Sequence, residues 1–277
     1  MGPGDPYAPA EQSGGTGVNF LQQALSYIFT AANWGGPAGL AARILEHLTY
    51  TAVAVVFSAL IAIPLGMLIG HTGRGTFLVV TGVNALRALP TLGVLLLGVL
   101  RWGLGLVPPT VALMLLGIPP LLAGTYAGIA NVDPDIVDAA RAMGMTESRI
   151  LLRVETPNAM PLILGGLRTA TLQIVATATV AAYASLGGLG RYLIDGIKVR
   201  QFHIALVGAL MVTALALILD AALAFAVWAS VPGSGRLRGR SVAMPQPLLG
   251  DEVALESRSG VHDPTGGPRR AGAGRGG

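Results

Sequence analysis

Three charged side chains stand where charge is expensive. Arg87, Arg168 and Asp220 each fall inside an apolar run long enough to cross a bilayer. Charges at such depth are costly and mark functional positions. Arg87 lies about ten residues, ~15 Å at 1.5 Å per residue, from the inner end of its run, and Asp220 and Arg168 are roughly as deep in theirs. Matching depths predict that Asp220 pairs with Arg87 or with Arg168 inside a helix bundle, as a structural or gating contact. The alternative for each arginine is to snorkel its head inward to the interface.

A second concentration of charge lies between two of the runs. The stretch "DAARAMGMTESRILLRVETPNAMP" runs from Asp138 to Pro161. It follows Asp133-Pro134-Asp135, a helix start in which Asp133 caps, Pro134 fits the first turn and Asp135 meets the positive dipole end. Ile136, Val137, Ala140 and Met143 then form one apolar stripe. Gly144 is placed to end that helix in a left-handed turn. Thr146 can cap a second short helix carrying Ile150, Leu151 and Val154, and Pro157 is expected to stop or redirect the chain before the next run. Helix, glycine turn and helix, with one apolar and one charged face, suit docking into a groove on another protein. They equally suit a loop folded back onto its own bundle.

Covalent catalysis has little to work with. There is no cysteine, and the four histidines, His47, His71, His203 and His262, do not lie at metal-ligand spacing. No phosphate-binding loop with a terminal Lys-Ser/Thr occurs, so any nucleotide hydrolysis must belong to a separate chain. "GHTGRGT" lacks that ending, and Gly187-Gly188-Leu189-Gly190 fits a tight turn better than a dinucleotide site. No cluster of nucleophile, base and metal ligand sits near a run end, which argues against a membrane-embedded enzyme.

The elements that position these residues follow from composition. Hydrophobic residues make up 52% of the 277, charged residues 12%, and mean hydropathy is +0.64. A soluble globule carries about 25% charged residues, so this chain could not coat a water-facing surface. Five runs reach the roughly 20 residues that span the hydrocarbon core: Leu48–Gly70, Gly75–Leu100 (interrupted by Arg87 and Pro90), Pro108–Ala130, Asn158–Leu186 and Ile204–Ser230. None alternates, so all read as helices in an all-α integral membrane fold of five transmembrane helices, or six if the N-terminal segment enters. Phe20–Ala32 is too short to span and reads as a helix lying on the membrane. The division is therefore an N-terminal extension over 1–47, a transmembrane domain over 48–230 with the island at 134–157, and a disordered tail over 231–277. Residues 1–19 lack a signal peptide's basic and apolar regions, so the first span serves as the uncleaved insertion signal. Arginines on the island, at Arg74 and just after the fifth span place the island and the C-terminus in the cytoplasm.

The island resembles the EAA motif of permease subunits of ATP-binding-cassette importers: Glu-Ala-Ala, three residues, Gly, nine residues, Ile, any residue, Leu-Pro. This chain has Asp138-Ala139-Ala140, Gly144, Val154 and Thr156-Pro157 at that spacing. It departs in Asp for Glu, Val for Ile and Thr for Leu. The stretches "ALRALPTLGVLLL" at 85–97, "IPPLLAGTYAGIANVDPDIVDAARAMGM" at 118–145, "GGLRTAT" at 165–171 and "SLGGLGRYLIDGI" at 185–197 are similar to the osmoprotectant branch, permeases for glycine betaine, choline, carnitine and proline. Methionine and other amino-acid importers share the EAA pattern and form the rival reading; a passive channel is a further one, and it has no use for the island.

The resemblance implies a MetI-like fold in a bacterial cell membrane. It implies that Asp138, Ala139, Ala140, Gly144, Val154 and Pro157 form a coupling helix that docks into cytoplasmic ATPase subunits. Those partners would use ATP and magnesium, and no cofactor would bind this chain. It implies a second permease subunit, identical or homologous, and an extracytoplasmic substrate-binding protein; nothing points to nucleic acid. Only 5% of residues are aromatic, and Tyr126, Tyr183 and Phe225 do not cluster. A cage for a quaternary ammonium needs several convergent rings, so selection is expected in the binding protein.

Overall fold

A computed structural model of the protein describes residues 17–184 and 186–231, and among these there are helices and turns but no strand. The tail predicted over 231–277 lies outside the described residues apart from Val231. The helices are α1 (Gly17–Phe29), α2 (Leu40–Thr72), α3 (Thr76–Ala88), α4 (Thr91–Trp102), α5 (Val107–Ala130), α6 (Pro134–Ala142), α7 (Glu147–Ile150), α8 (Thr156–Thr177), α9 (Gly190–Lys198) and α10 (Phe202–Ser230). A π-helical turn, Leu151–Glu155, joins α7 to α8, and a 3₁₀ segment, Ala178–Ala184, extends α8.

Four helical segments are individually long and apolar enough to cross a membrane: Leu40–Thr72, Val107–Ala130, Glu147–Ala184 and Phe202–Ser230. The fifth run predicted to cross, Gly75–Leu100, is not among them: it forms two shorter helices, α3 and α4, broken at Leu89–Pro90. The cause is local. Pro90 has no N–H to donate, and its ring pushes Leu89 out of the helical region, to φ −71° and ψ 128°. Pro64, Pro119, Pro120 and Pro161 lie within continuous helices, so proline alone does not fix a break. α2 starts at Leu40, eight positions before the predicted span, because Arg43, Glu46 and His47 still lie on the helix. There Glu46 accepts from Arg43 at 2.8 Å and from the backbone N–H of Gly188 at 2.6 Å. The predicted glycine turn is thereby seated on the face of the bundle opposite the island.

α5 is the central post, between α2 and α8. Lipid tails are as apolar as leucine, so helices in a membrane are held by close packing rather than by a hydrophobic drive. Small residues allow that approach. A Cβ on Gly124 would lie 2.8 Å from Gly166 Cα and 2.9 Å from the Leu162 carbonyl oxygen; one on Gly66 would lie 2.8 Å from Thr125 Cβ. Around these contacts Leu121, Ala62 and Ala170 are fully buried, and Ala54 and Ile174 form an adjoining cluster with Leu113 and Ala178.

α10 is more peripheral. It buries Val207, Gly208, Val212 and Leu215 and presents Leu217, Ile218 and Phe225 outward. Farther along, Arg168 of α8 holds it: Nε donates to Asp220 Oδ1 at 2.6 Å and Nη2 to Oδ2 at 2.8 Å. α1 lies across the start of α10, where Ala24, Leu40 and Val207 are buried together. Its own carbonyls are capped by side chains, Asn33 donating to Tyr27 O at 2.8 Å and the Trp34 indole to Ile28 O at 2.7 Å. The helix predicted over Phe20–Ala32 thus starts three residues earlier than expected, and a 3₁₀ turn over Ala31–Trp34 takes up its predicted end.

Two outcomes follow. Gly124→Leu forces α5 and α8 apart and should lower the thermal midpoint of the detergent-purified protein by about 5–10 °C, whereas Gly165→Ala, with nothing within 4 Å of its Cβ, leaves it unchanged. Removing one member of the intramembrane pair, by Asp220→Asn or Arg168→Leu, should reduce folded yield, and the swap Arg168→Asp with Asp220→Arg should recover most of it. Size-exclusion profiles of the tagged protein read both.

Candidate functional site

The island between α5 and α8 is a hairpin built from its own sequence. Asp133 accepts from the Asp135 N–H at 3.0 Å and starts α6, with Pro134 in the first turn. Gly144 adopts φ +80°, a conformation that a Cβ disfavours. Its N–H donates to Arg141 O at 2.9 Å, and Met145 N–H reaches back to Ala140 O at 3.2 Å, closing the end of α6. The chain then reverses into α7. Thr146 has the extended conformation of a cap, but its side chain makes no capping hydrogen bond.

Closing the hairpin splits the stripe read from the sequence. Val137 and Ala140 turn inward against Ile150, with Val132, Met145 and Val154 around them. Ile136 and Met143 remain outside, 46% and 75% exposed. The stripe expected to be continuous is therefore two surfaces: a small internal core and an apolar pair on the outside of a polar loop.

Arg141 fixes the angle between the two arms. Its Nη1 donates to Asp138 Oδ1 at 2.9 Å on its own helix. Its Nε and Nη2 donate to Glu147 Oε1 and Oε2 at 2.8 and 3.2 Å across the glycine turn. This bidentate fork is the geometry for which arginine is suited. The Arg141 hydrogen bonds hold the Glu147 carboxyl below the usual carboxylate range. A lowered carboxyl favours the closed form above its unfolded pKa and loses that contribution as acid titrates it, so the clasp is complete at neutral pH.

Pro157 does not stop the chain, contrary to the sequence reading. α7 runs through the π turn directly into α8. The Thr156 N–H bonds to Leu151 O, five residues back, and the Thr156 hydroxyl donates to the same oxygen at 2.7 Å. The wider turn takes up Pro157, which lacks an N–H, in the first turn of α8. The island is thus rigidly continuous with α8.

Of the residues named from sequence, Asp138, Ala139, Ala140 and Gly144 lie on the first arm and its turn, while Val154 and Pro157 lie on the second arm and its junction with α8. Asp138, Ala139, Gly144 and Pro157 are exposed, and Ala140 is buried. Arg168 and Asp220 meet; Arg87 is on α3 and its side chain falls outside the described residues. Sequence reasoning passed over Arg141, Glu147, Glu155 and His71. The Asp138–Arg141 pair was available as an i,i+3 spacing. Glu155, only 5% exposed, carried a weaker signal, an acid just before a span.

The described residues contain no group of metal-binding side chains. Comparison with known proteins then places the chain. The family model described as "Binding-protein-dependent transport system inner membrane component" matches residues 62–227, from the latter part of α2 to near the end of α10. The choline transport system permease protein OpuBB of Bacillus subtilis is 35% identical over 181 residues, covering 65% of this chain and 83% of that protein. The glycine betaine/carnitine/choline transport system permease protein OpuCB of the same organism is 36% identical over 179 residues, covering 65% and 82%. The osmoprotectant import permease protein OsmY of Salmonella typhimurium is 35% identical over 182 residues, covering 65% and 77%. In fold, the chain is similar to the inward-facing MetNI methionine ABC transporter, with a TM-score of 0.62 over 69% of this chain and 96% of that one, at 21% identity. With the hairpin inside the matched region, the chain belongs to the family of binding-protein-dependent transport system inner membrane components.

Proposed function

We propose that this permease imports osmoprotectants, small solutes of the glycine betaine, choline, carnitine and proline class, driven by ATP hydrolysis in a separate subunit. The observation that carries the energy-coupling half is the hairpin. Ile136 and Met143 project from a polar element whose angle is set by Arg141 and whose ends are continuous with α5 and α8. An apolar pair on a rigid helical arm is suited to a groove on another protein. Arg74, Arg141, Arg149 and Arg153 on this face support a cytoplasmic position for it. α10 runs from the opposite face back toward the island, which supports a cytoplasmic C-terminus too.

The substrate half rests on the relatives, whose names specify choline, carnitine, glycine betaine or osmoprotectant import. The methionine and amino-acid transporters similar in structure are about 20–21% identical and bear on the fold alone. In the proposed cycle, ATP draws two ATPase subunits together beneath a pair of permeases. Each island moves with its ATPase and tilts α5 and α8, and access passes from the outer face to the inner. A binding protein on the outer face delivers the solute. The permease makes and breaks no covalent bond.

In proteoliposomes holding the whole complex, labelled glycine betaine uptake should require internal ATP and fall with excess choline, carnitine or proline; competition by methionine alone would overturn the substrate reading. Ile136→Glu with Met143→Glu should cut copurification of the ATPase about tenfold or more while leaving membrane insertion intact. Undiminished copurification would refute the docking face.

A further inference from the structure

α2 ends on the island face, and its last turn carries His71, whose side chain is 12% exposed. The imidazole is held from two sides. Nδ1 lies 2.7 Å from Glu155 Oε2, and Nε2 lies 3.2 Å from Glu147 Oε2. Carboxylates only accept, so the ring satisfies both contacts as a donor when it carries both protons. Glu155 is the more demanding partner: its side chain is 6% exposed, and a buried carboxylate requires a cation or donor. Among the described residues, His71 is the one basic side chain within ion-pair distance of it.

Glu155 closes the π turn. The extra residue of such a turn sets everything after it back by about 100° relative to an unbroken α-helix. π turns inside α-helices recur at functional positions for this reason. Glu147, the other partner, is the carboxylate that Arg141 grips. A continuous path of polar side-chain contacts therefore runs Asp138–Arg141–Glu147–His71–Glu155, from the first arm of the hairpin, past the end of α2, to the root of α8. The island is covalently continuous with α5 and α8. α2 has no such continuity, and His71 makes its side-chain link.

We infer that His71 is a positioning residue of the transport cycle: it keys the hairpin to the inner end of α2, so that displacement of the hairpin is passed to the first span as well as to α5 and α8. This rests on the reading of the hairpin as the ATPase-docking element. The keying is lost without a donor side chain at 71 or the carboxylate at 155, and a lysine at 71 retains it in part.

The test compares wild type, His71→Ala, His71→Lys and Glu155→Gln. With the complex reconstituted, solute carried per ATP hydrolysed should fall about 5-fold in His71→Ala and Glu155→Gln, the low end for coupled sites, while ATPase copurification holds because Ile136 and Met143 are untouched. His71→Lys should recover most of the ratio. A role in folding alone would lower yield and leave the ratio unchanged. The chain has no cysteine, so spin labels at Thr72→Cys and Ser148→Cys can report the α2–hairpin distance in the full chain without background. The distribution should broaden in His71→Ala and stay narrow in His71→Lys. An unchanged ratio and distribution in His71→Ala, or a lysine variant no better than alanine, overturns the inference. Failure of the unmutated chain to retain an ATPase would instead sink the docking reading, and the label distances still decide the keying.

Discussion

Close backbone approach around α5 is the constraint on which the island depends. The hairpin leaves α5 and enters α8, so its orientation is only as definite as the contact between those two helices. Gly124 against Gly166 and Gly128 against Ala159 leave no room for a side chain at the interface. Interlocked small residues resist sliding better than long flexible ones, because each shift brings backbone against backbone. Gly66 and Gly70 bring α2 onto the opposite flank of α5 in the same way. A force on the hairpin is therefore delivered to a packed three-helix unit and not dissipated in one loose helix.

Within the hairpin, energy and geometry have different sources. Burying Val137 and Ile150 contributes about 1.5–3 kcal/mol each relative to exposure, and this small core stabilises the closed form. The Arg141 pairs are solvated, and exposed ion pairs contribute little to stability. Their contribution is directional. One planar guanidinium satisfying carboxylates on both arms admits a narrow range of angles between them, whereas the core alone would tolerate rotation of one arm over the other. This separation explains why a charged clasp and a glycine turn occur together: the turn permits the reversal and the clasp selects its angle.

What could be read from the sequence was what is encoded locally. Five apolar runs and the cap, turn and stripe of α6 are spaced within a few residues of one another, and the depths of Arg168 and Asp220 in their helices follow from counting. Depth could not choose between Arg87 and Arg168, because facing depends on how helices rotate against one another. The division of the stripe at Ile136 and Met143 was invisible for the same reason: which side is inward depends on where Ile150 arrives. Pro157 misled because a proline after a short helix ordinarily ends it, and only the π turn, where the Thr156 hydroxyl bonds to Leu151 O, makes continuation possible. His71 and Glu155 stand 84 residues apart, and nothing local joins them.

The placement of aromatic groups completes the division of labour. The aromatic pairs found among the described residues are Phe20 with Phe202, Tyr27 with Tyr192, and Phe225 with Trp228. The first two lie where α1 meets the start of α10 and α9, and the third near the end of α10. Holding a quaternary ammonium requires rings converging on one point, whereas the first two pairs join α1 to α10 and to α9 and the third lies within α10. In the proposed cycle, affinity is the part of a separate protein at the outer face and energy that of a separate protein at the inner one. In that cycle the part of the permease is a rigid connection between the two, and its glycine contacts and the side-chain path through His71 would both serve it.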